Sequence, residues 1–173
     1  MGVAWSTETV AATQTFDITG DFSGGQLGDV SFDFTVTHDF SMDVGLGGQT
    51  TGLTVNSFAS SEVAGDPIAL TAVGQDYRFS YTLANDLLFF GGGSLFGIAG
   101  DSTDFQLSIG SFIGGSSIAG AIDSISSTGA TSNANVTNLS ITEVSAVPLP
   151  ASALLVLGGL GGMATLRRRR RAA

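Results

Sequence analysis

The clearest pattern in the chain runs from Val30 to Ser41, where Val30, Phe32, Phe34, Val36, His38 and Phe40 alternate with Ser31, Asp33, Thr35, Thr37, Asp39 and Ser41. A period of two belongs to a strand with one face buried and one wet. Tyr77, Phe79, Tyr81 and Leu83 alternate in the same way with Arg78, Ser80 and Thr82. Shorter runs of this kind cover Thr15 to Thr19, Leu53 to Phe58, Ile68 to Val73, Phe105 to Ile109, Ala121 to Ser126 and Val136 to Val144. No stretch before residue 147 has helical periodicity. Leu87-Leu88-Phe89-Phe90 reads as a buried strand or as an apolar patch for self-association.

Glycine and Asx clusters separate these runs at Gly20 to Asp29, Gly45 to Gly52, Ala64 to Pro67, Gly91 to Gly93, Gly110 to Gly120 and Ser127 to Asn135. Eight short strands with such punctuation predict an all-β domain, an antiparallel sandwich of jelly-roll type, over residues 13 to 146. A β-solenoid is the competing architecture, but no repeat of fixed period supports it.

Charge sharpens this picture. The chain has 173 residues, 15 acids and six basic residues, for a net charge of -9. Five of the basic residues are Arg167, Arg168, Arg169, Arg170 and Arg171, so Arg78 is the single cation among the first 166 residues against all 15 acids, a balance of -14. A domain without a basic surface cannot release counterions from a phosphate backbone, which argues against nucleic acid as a partner. Cysteine and lysine are both absent. Their absence removes disulfides, thiolate metal sites and thiol nucleophiles, and also P-loop phosphate binding and Schiff-base chemistry.

From Ser145 the composition changes. Val147-Pro148-Leu149-Pro150-Ala151 leads into an uncharged run that ends at Leu166, directly before the five arginines. Ala151 to Leu166 is 16 residues, which spans ~24 Å as a helix, short against a hydrocarbon core of about 30 Å. The positive-inside bias keeps the arginines in the cytoplasm and places the preceding domain outside. Gly158 and Gly162 have the spacing that pairs helices in a membrane, although a thin helix offered to a processing enzyme explains them equally well.

A proline-bracketed motif, a brief apolar run and a terminal arginine cluster, in that order, resemble the PEP-CTERM class of exosortase sorting signals, in the variant whose motif is VPLPA. The resemblance covers Val147 to Ala173. It implies export, retention in the inner membrane of a Gram-negative bacterium, and recognition or cleavage at Val147 to Ala151 by an exosortase. It also implies a destination at the cell surface or in an extracellular polysaccharide matrix. A simple membrane anchor is the plain alternative. Residues 1 to 12 read as the end of a signal peptide, with Val10-Ala11-Ala12 as the small-residue stretch before cleavage, or else as a disordered N-terminus.

Candidate chemistry in the domain is sparse. His38 is the only histidine; it shares a face with Phe34 and Val36, which favours a structural role over a general base. No nucleophile elbow and no dinucleotide fingerprint is present, so the domain reads as non-enzymatic. Asp17 and Asp21 flank Gly20, Asp101 and Asp104 share one short loop, and Asp39 and Asp43 bracket a strand end. The first two pairs are candidate calcium ligands in an otherwise cofactor-free protein, with solvated acidic turns as the default. A secreted lectin or polysaccharide-acting protein is the alternative function. It would need exposed planar rings, and Tyr77 and Tyr81 share the apolar face with Phe79 while Trp5 lies in the presumed leader. The glycosylation sequons at Asn135 and Asn138 read as chance matches.

Overall fold

The computed structural model describes residues 13–65, 76–92, 103–115, 117–125 and 128–144. They form eight strands: β1 (Gln14–Gly25), β2 (Gly28–His38), β3 (Leu53–Ser60), β4 (Arg78–Thr82), β5 (Leu87–Gly91), β6 (Asp104–Gly110), β7 (Ile118–Ile125) and β8 (Ala130–Glu143), with one short 3-10 turn at Leu83–Asn85. All pairings are antiparallel, in the order β3-β2-β1-β8-β7-β6-β5-β4. The all-β antiparallel expectation holds. The expected two-sheet, jelly-roll arrangement gives way to a single curled sheet made of two meanders, because β8 is long enough to serve both. Its first residues, Ala130 to Ala134, pair with β7, and Asn135 to Glu143 pair with β1.

Several expected boundaries move. Gly20 to Asp29 was expected to be a turn cluster, but β1 continues through Gly25 and only Gln26 and Leu27 lie between the strands. Positive φ at Gly24 and Gly28 supplies this tight reversal. The expected turn from Ser127 to Asn135 is likewise half strand, since β8 begins at Ala130, and the run read to Ser41 leaves the sheet after His38. Leu87 to Phe90 is a strand with Leu88 and Phe90 buried and Leu87 and Phe89 half-buried on the other face. The strand expected at Ile68 to Val73 and the helix expected at Ala151 to Leu166 lie outside the described residues.

Alternation alone would not give β3 and β8 a continuous inner face. On β8, Ser132, Ala134 and Val136 point inward, yet so do Leu139 and Ile141, which have the opposite parity. The register shift between Thr19 and Asp21 sets Leu139 and Asn138 against the single residue Gly20, and Asn138 adopts φ 51°. Such a bulge adds one residue and flips every later side chain. A second shift, at Asn56, does the same for Leu53 and Val55 against Phe58. There the Asn56 amide donates to Asp33 at 2.9 Å and to Thr35 at 3.2 Å on the outer face.

The core lies in the concave face and is mainly aromatic. Phe34 of β2 stacks on Phe90 of β5 at 3.8 Å between centroids, and Phe58 of β3 stacks on Phe105 of β6 at 4.4 Å. These contacts join distant strands of the order, so they hold the curl closed. Burial of each such ring contributes about 1.5–3 kcal/mol. The loop after β2 completes the closure by returning to the far edge. Gln49 and Phe79 exchange backbone hydrogen bonds of 2.8 and 3.0 Å, and Val44 N–H donates to Tyr81 C=O at 2.9 Å.

Candidate functional site

Two aspartates that the sequence did not single out, one fully buried and one half-exposed, each gather three hydrogen-bond donors from neighbouring loops and strands. Asp123 lies on the inward register of β7 with Ala119, Ala121 and Ile125, and it is fully buried. Its carboxylate accepts hydrogen bonds from Gln26 N–H at 2.8 Å, Leu27 N–H at 2.9 Å and the Ser132 hydroxyl at 2.9 Å. It thus ties the β1–β2 hairpin tip to β7 and β8, while Ser60 of β3 donates to Leu27 C=O at 2.7 Å from the other side. A side chain at Gly25 would overlap the Asp123 carboxylate, so this approach requires glycine.

Asp86 does the same work at the opposite end. It follows the 3-10 turn with φ 47°, and its carboxylate accepts from Ile113 N–H at 2.9 Å, Gly114 N–H at 2.8 Å and the Tyr81 hydroxyl at 2.9 Å. Partial burial pushes its pKa up, but the two N–H groups and the hydroxyl outweigh that, and the carboxyl titrates below its ordinary value. Burial, together with the hydrogen bond to Asp86 and the charges of Asp86 and Asp43, pushes the Tyr81 phenol up to about 12. The signal for Asp123 was an acid in the apolar register of a strand; for Asp86 it was an Asx residue in a short turn between two strands.

The three expected calcium ligands that are described, Asp17, Asp21 and Asp104, are not gathered. Asp17 and Asp21 share the outer face of β1, four residues apart, or about 13 Å along a strand. Calcium–oxygen distances of about 2.3–2.6 Å bring ligand groups far closer together than that. Asp17 accepts from the Thr35 hydroxyl at 2.7 Å and Asp21 from the Asn138 amide at 2.9 Å. Asp104 is fully buried on β6, three strands from β1, and takes the N–H of Phe105 at 2.8 Å. Asp101 lies outside the described residues. Among the described residues no group of three or more His, Asp or Glu side chains could hold a metal ion.

The other singled-out residues serve the framework. His38 packs edge-on against Phe40 and Phe79, with Nε2 3.1 Å from Met42 C=O, so that nitrogen carries the proton. Asp39 closes an Asx turn on Ser41, whose hydroxyl and N–H hold its carboxyl below the usual value, and Asp43 accepts from Leu83 N–H at 2.6 Å. Tyr81 is buried, and Tyr77 lies face to face with Phe90 at 5.8 Å. Arg78 donates to Gly47 C=O at 3.3 Å.

Val147, Pro148, Leu149, Pro150 and Ala151, the glycines Gly158 and Gly162, and Arg167 to Arg171 lie outside the described residues. Among the described residues no helix is long and apolar enough to cross a membrane. The chain matches no family model, no curated protein and no solved structure.

Proposed function

We propose that this protein is an exported, non-catalytic β-domain, delivered to the cell surface or extracellular matrix by an exosortase that reads its C-terminal signal. The observation that carries the reading is the order of parts after the domain: Val147 to Ala151, an uncharged run to Leu166, then Arg167 to Arg171. The position of the last strand supports it. β8 ends at Glu143, and Val144 N–H donates to Thr15 C=O at 2.8 Å, so the last strand of the sheet stops just short of the motif in sequence. The non-catalytic part of the reading rests on Asp123 and Asp86. Each has its carboxylate taken up by three donors that hold loops together, which leaves neither poised for acid–base work.

The test is fractionation with intact-mass measurement of the mature chain, in cells with and without the exosortase. The expected product has lost the arginine cluster and leaves the inner membrane only where the exosortase is present. A mature chain that still carries Arg167 to Arg171 in both strains overturns the processing claim.

A further inference from the structure

Exposed apolar side chains are common on protein surfaces and mean little when scattered; their collection at one place is informative. Seven large hydrophobic residues are exposed among the described residues: Met42, Leu46, Leu83, Ile113, Ile118, Ile122 and Val144. Five of them sit at one end of the curled sheet. Met42 is on the loop after β2, Leu83 follows β4, Ile113 follows β6, Ile118 opens β7 and Val144 follows β8. The exposure at this end reaches 79% at Ile118. Leu46 lies farther along the loop after β2, in the turn that runs beside the β4 edge, where Arg78 donates to Gly47 C=O. Ile122 continues the outer face of β7 four residues beyond Ile118. Leu27, at the tip of the β1–β2 hairpin at the opposite end, is fully buried.

The apolar end is also where the chain leaves the sheet. β8 stops at Glu143 beside the start of β1, and Ala151, the first residue of the uncharged run, follows Val144 by seven residues. Seven residues reach at most about 25 Å. If that run lies in a bilayer, the end carrying Met42, Leu83, Ile113, Ile118 and Val144 is held beside the lipid surface and the hairpin end is turned away from it.

We infer that this end of the sheet is a membrane-docking rim, whose exposed apolar side chains enter the headgroup boundary of the bilayer that holds residues 151–166. The inference rests on the membrane retention proposed above. The occupant is a lipid surface of low charge. The rim carries the carboxylates of Asp39, Asp43, Asp86 and Glu143, and the one described cation, Arg78, opens β4 away from it. Attachment is therefore apolar: added salt leaves it in place, and anionic lipid weakens it.

The absence of cysteine allows a unique label at each position. The full chain, carrying Ile118→Cys or Leu83→Cys at the rim, Glu62→Cys or Ala130→Cys at the opposite end, or Leu157→Cys in the uncharged run, is coupled to a fluorophore. It is then reconstituted in phosphatidylcholine vesicles that contain a nitroxide-bearing lipid. All four domain positions are exposed or partner no core side chain, and matching thermal transitions identify variants that keep the fold.

The expected result is quenching at positions 83 and 118 several-fold above that at 62 and 130, unchanged by high salt and reduced when anionic lipid is mixed in. Quenching at 157 with no difference among the four domain labels overturns the rim and leaves the anchor standing. Absence of quenching at 157 removes the membrane reading and the rim with it. Protection of the rim labels that grows with protein concentration assigns the surface to a second copy and also overturns the proposal.

Discussion

At the hairpin end of the sheet, a fully buried Asp123 accepts two successive loop N–H groups, of Gln26 and Leu27, and one hydroxyl, of Ser132. At the other end, Asp86 accepts two successive loop N–H groups, of Ile113 and Gly114, and one hydroxyl, of Tyr81. The ligand sets are the same; the surroundings differ. Asp123 is sealed under Leu27, whereas Asp86 is half-exposed beside Ile113 and Leu83, both exposed to solvent. Water can replace the carboxylate where it reaches the orphaned donors and cannot where they are buried. The same three hydrogen bonds are therefore structural necessity at one end and local fastening at the other, and the end with the looser fastening is also the end with the exposed apolar rim.

The largest consequence is at Asp123. Asp123→Ala leaves the buried Leu27 N–H and the half-buried Gln26 N–H without acceptors, at about 1–3 kcal/mol for the first and less for the second, for an expected loss of roughly 2–4 kcal/mol. Chemical denaturation of this variant beside Asp86→Ala measures the contrast, and equal losses would break the argument from burial. Gly25→Ala tests the same clasp from the other side. The Asp123 carboxylate cannot swing away from a new methyl group without releasing Gln26 and Leu27, so a loss of about 1–3 kcal/mol is expected.

Why this contrast escaped the sequence is instructive. The alternation of Phe32, Phe34 and Val36 needed nothing beyond a period of two, and β2 follows it. Asp123 stands in an equally regular inward register, but an acid there makes sense only once a donor-rich turn 97 residues away in sequence is known to lie against it. The bulges at Asn56 and Asn138 were hidden for a related reason. A parity flip is a choice made against the neighbouring strand, so Leu139 and Ile141 look misplaced until Gly20 is opposite them. Gly20 itself punctuates a loop by composition, yet in the sheet it leaves room for the Phe32 ring. Asp17 and Asp21 are set apart by a spacing that four residues of strand impose and four residues of loop do not.

A smaller effect is expected at Asp86, and its sign follows from the direction of its pKa. The folded-state value lies below the ordinary 3.8, so the native state binds fewer protons than the unfolded chain in that range. The resulting stability is whole above 3.8 and is lost as the pH falls through the folded value. Asp86→Asn keeps one acceptor oxygen and loses the charge, at an expected cost of about 1 kcal/mol near neutrality. Its stability should fall less steeply on acidification than that of the wild type. Thermal unfolding followed between neutrality and strong acid reads both quantities, and an unchanged acid limb would assign acid sensitivity elsewhere.

Tyr81 carries the smallest expected change and the most specific one. Its hydroxyl donates one hydrogen bond to Asp86, so Tyr81→Phe costs about 0.5–1.5 kcal/mol at neutral pH. The pH dependence runs opposite to that of Asp86. A phenol raised from 10.0 to about 12 adds stability that is complete below 10 and disappears as the pH rises toward the folded value. An ionised Tyr81 would face the Asp86 carboxylate without a proton to share, and the clasp would open from the alkaline side. The wild type should therefore lose stability across this window while Tyr81→Phe keeps a flatter profile. The phenolate absorbance of the native protein should show one of its two tyrosines titrating late. If Tyr81→Phe leaves both the alkaline unfolding profile and the late absorbance step intact, Asp86 holds the loop through the backbone of Ile113 and Gly114 alone.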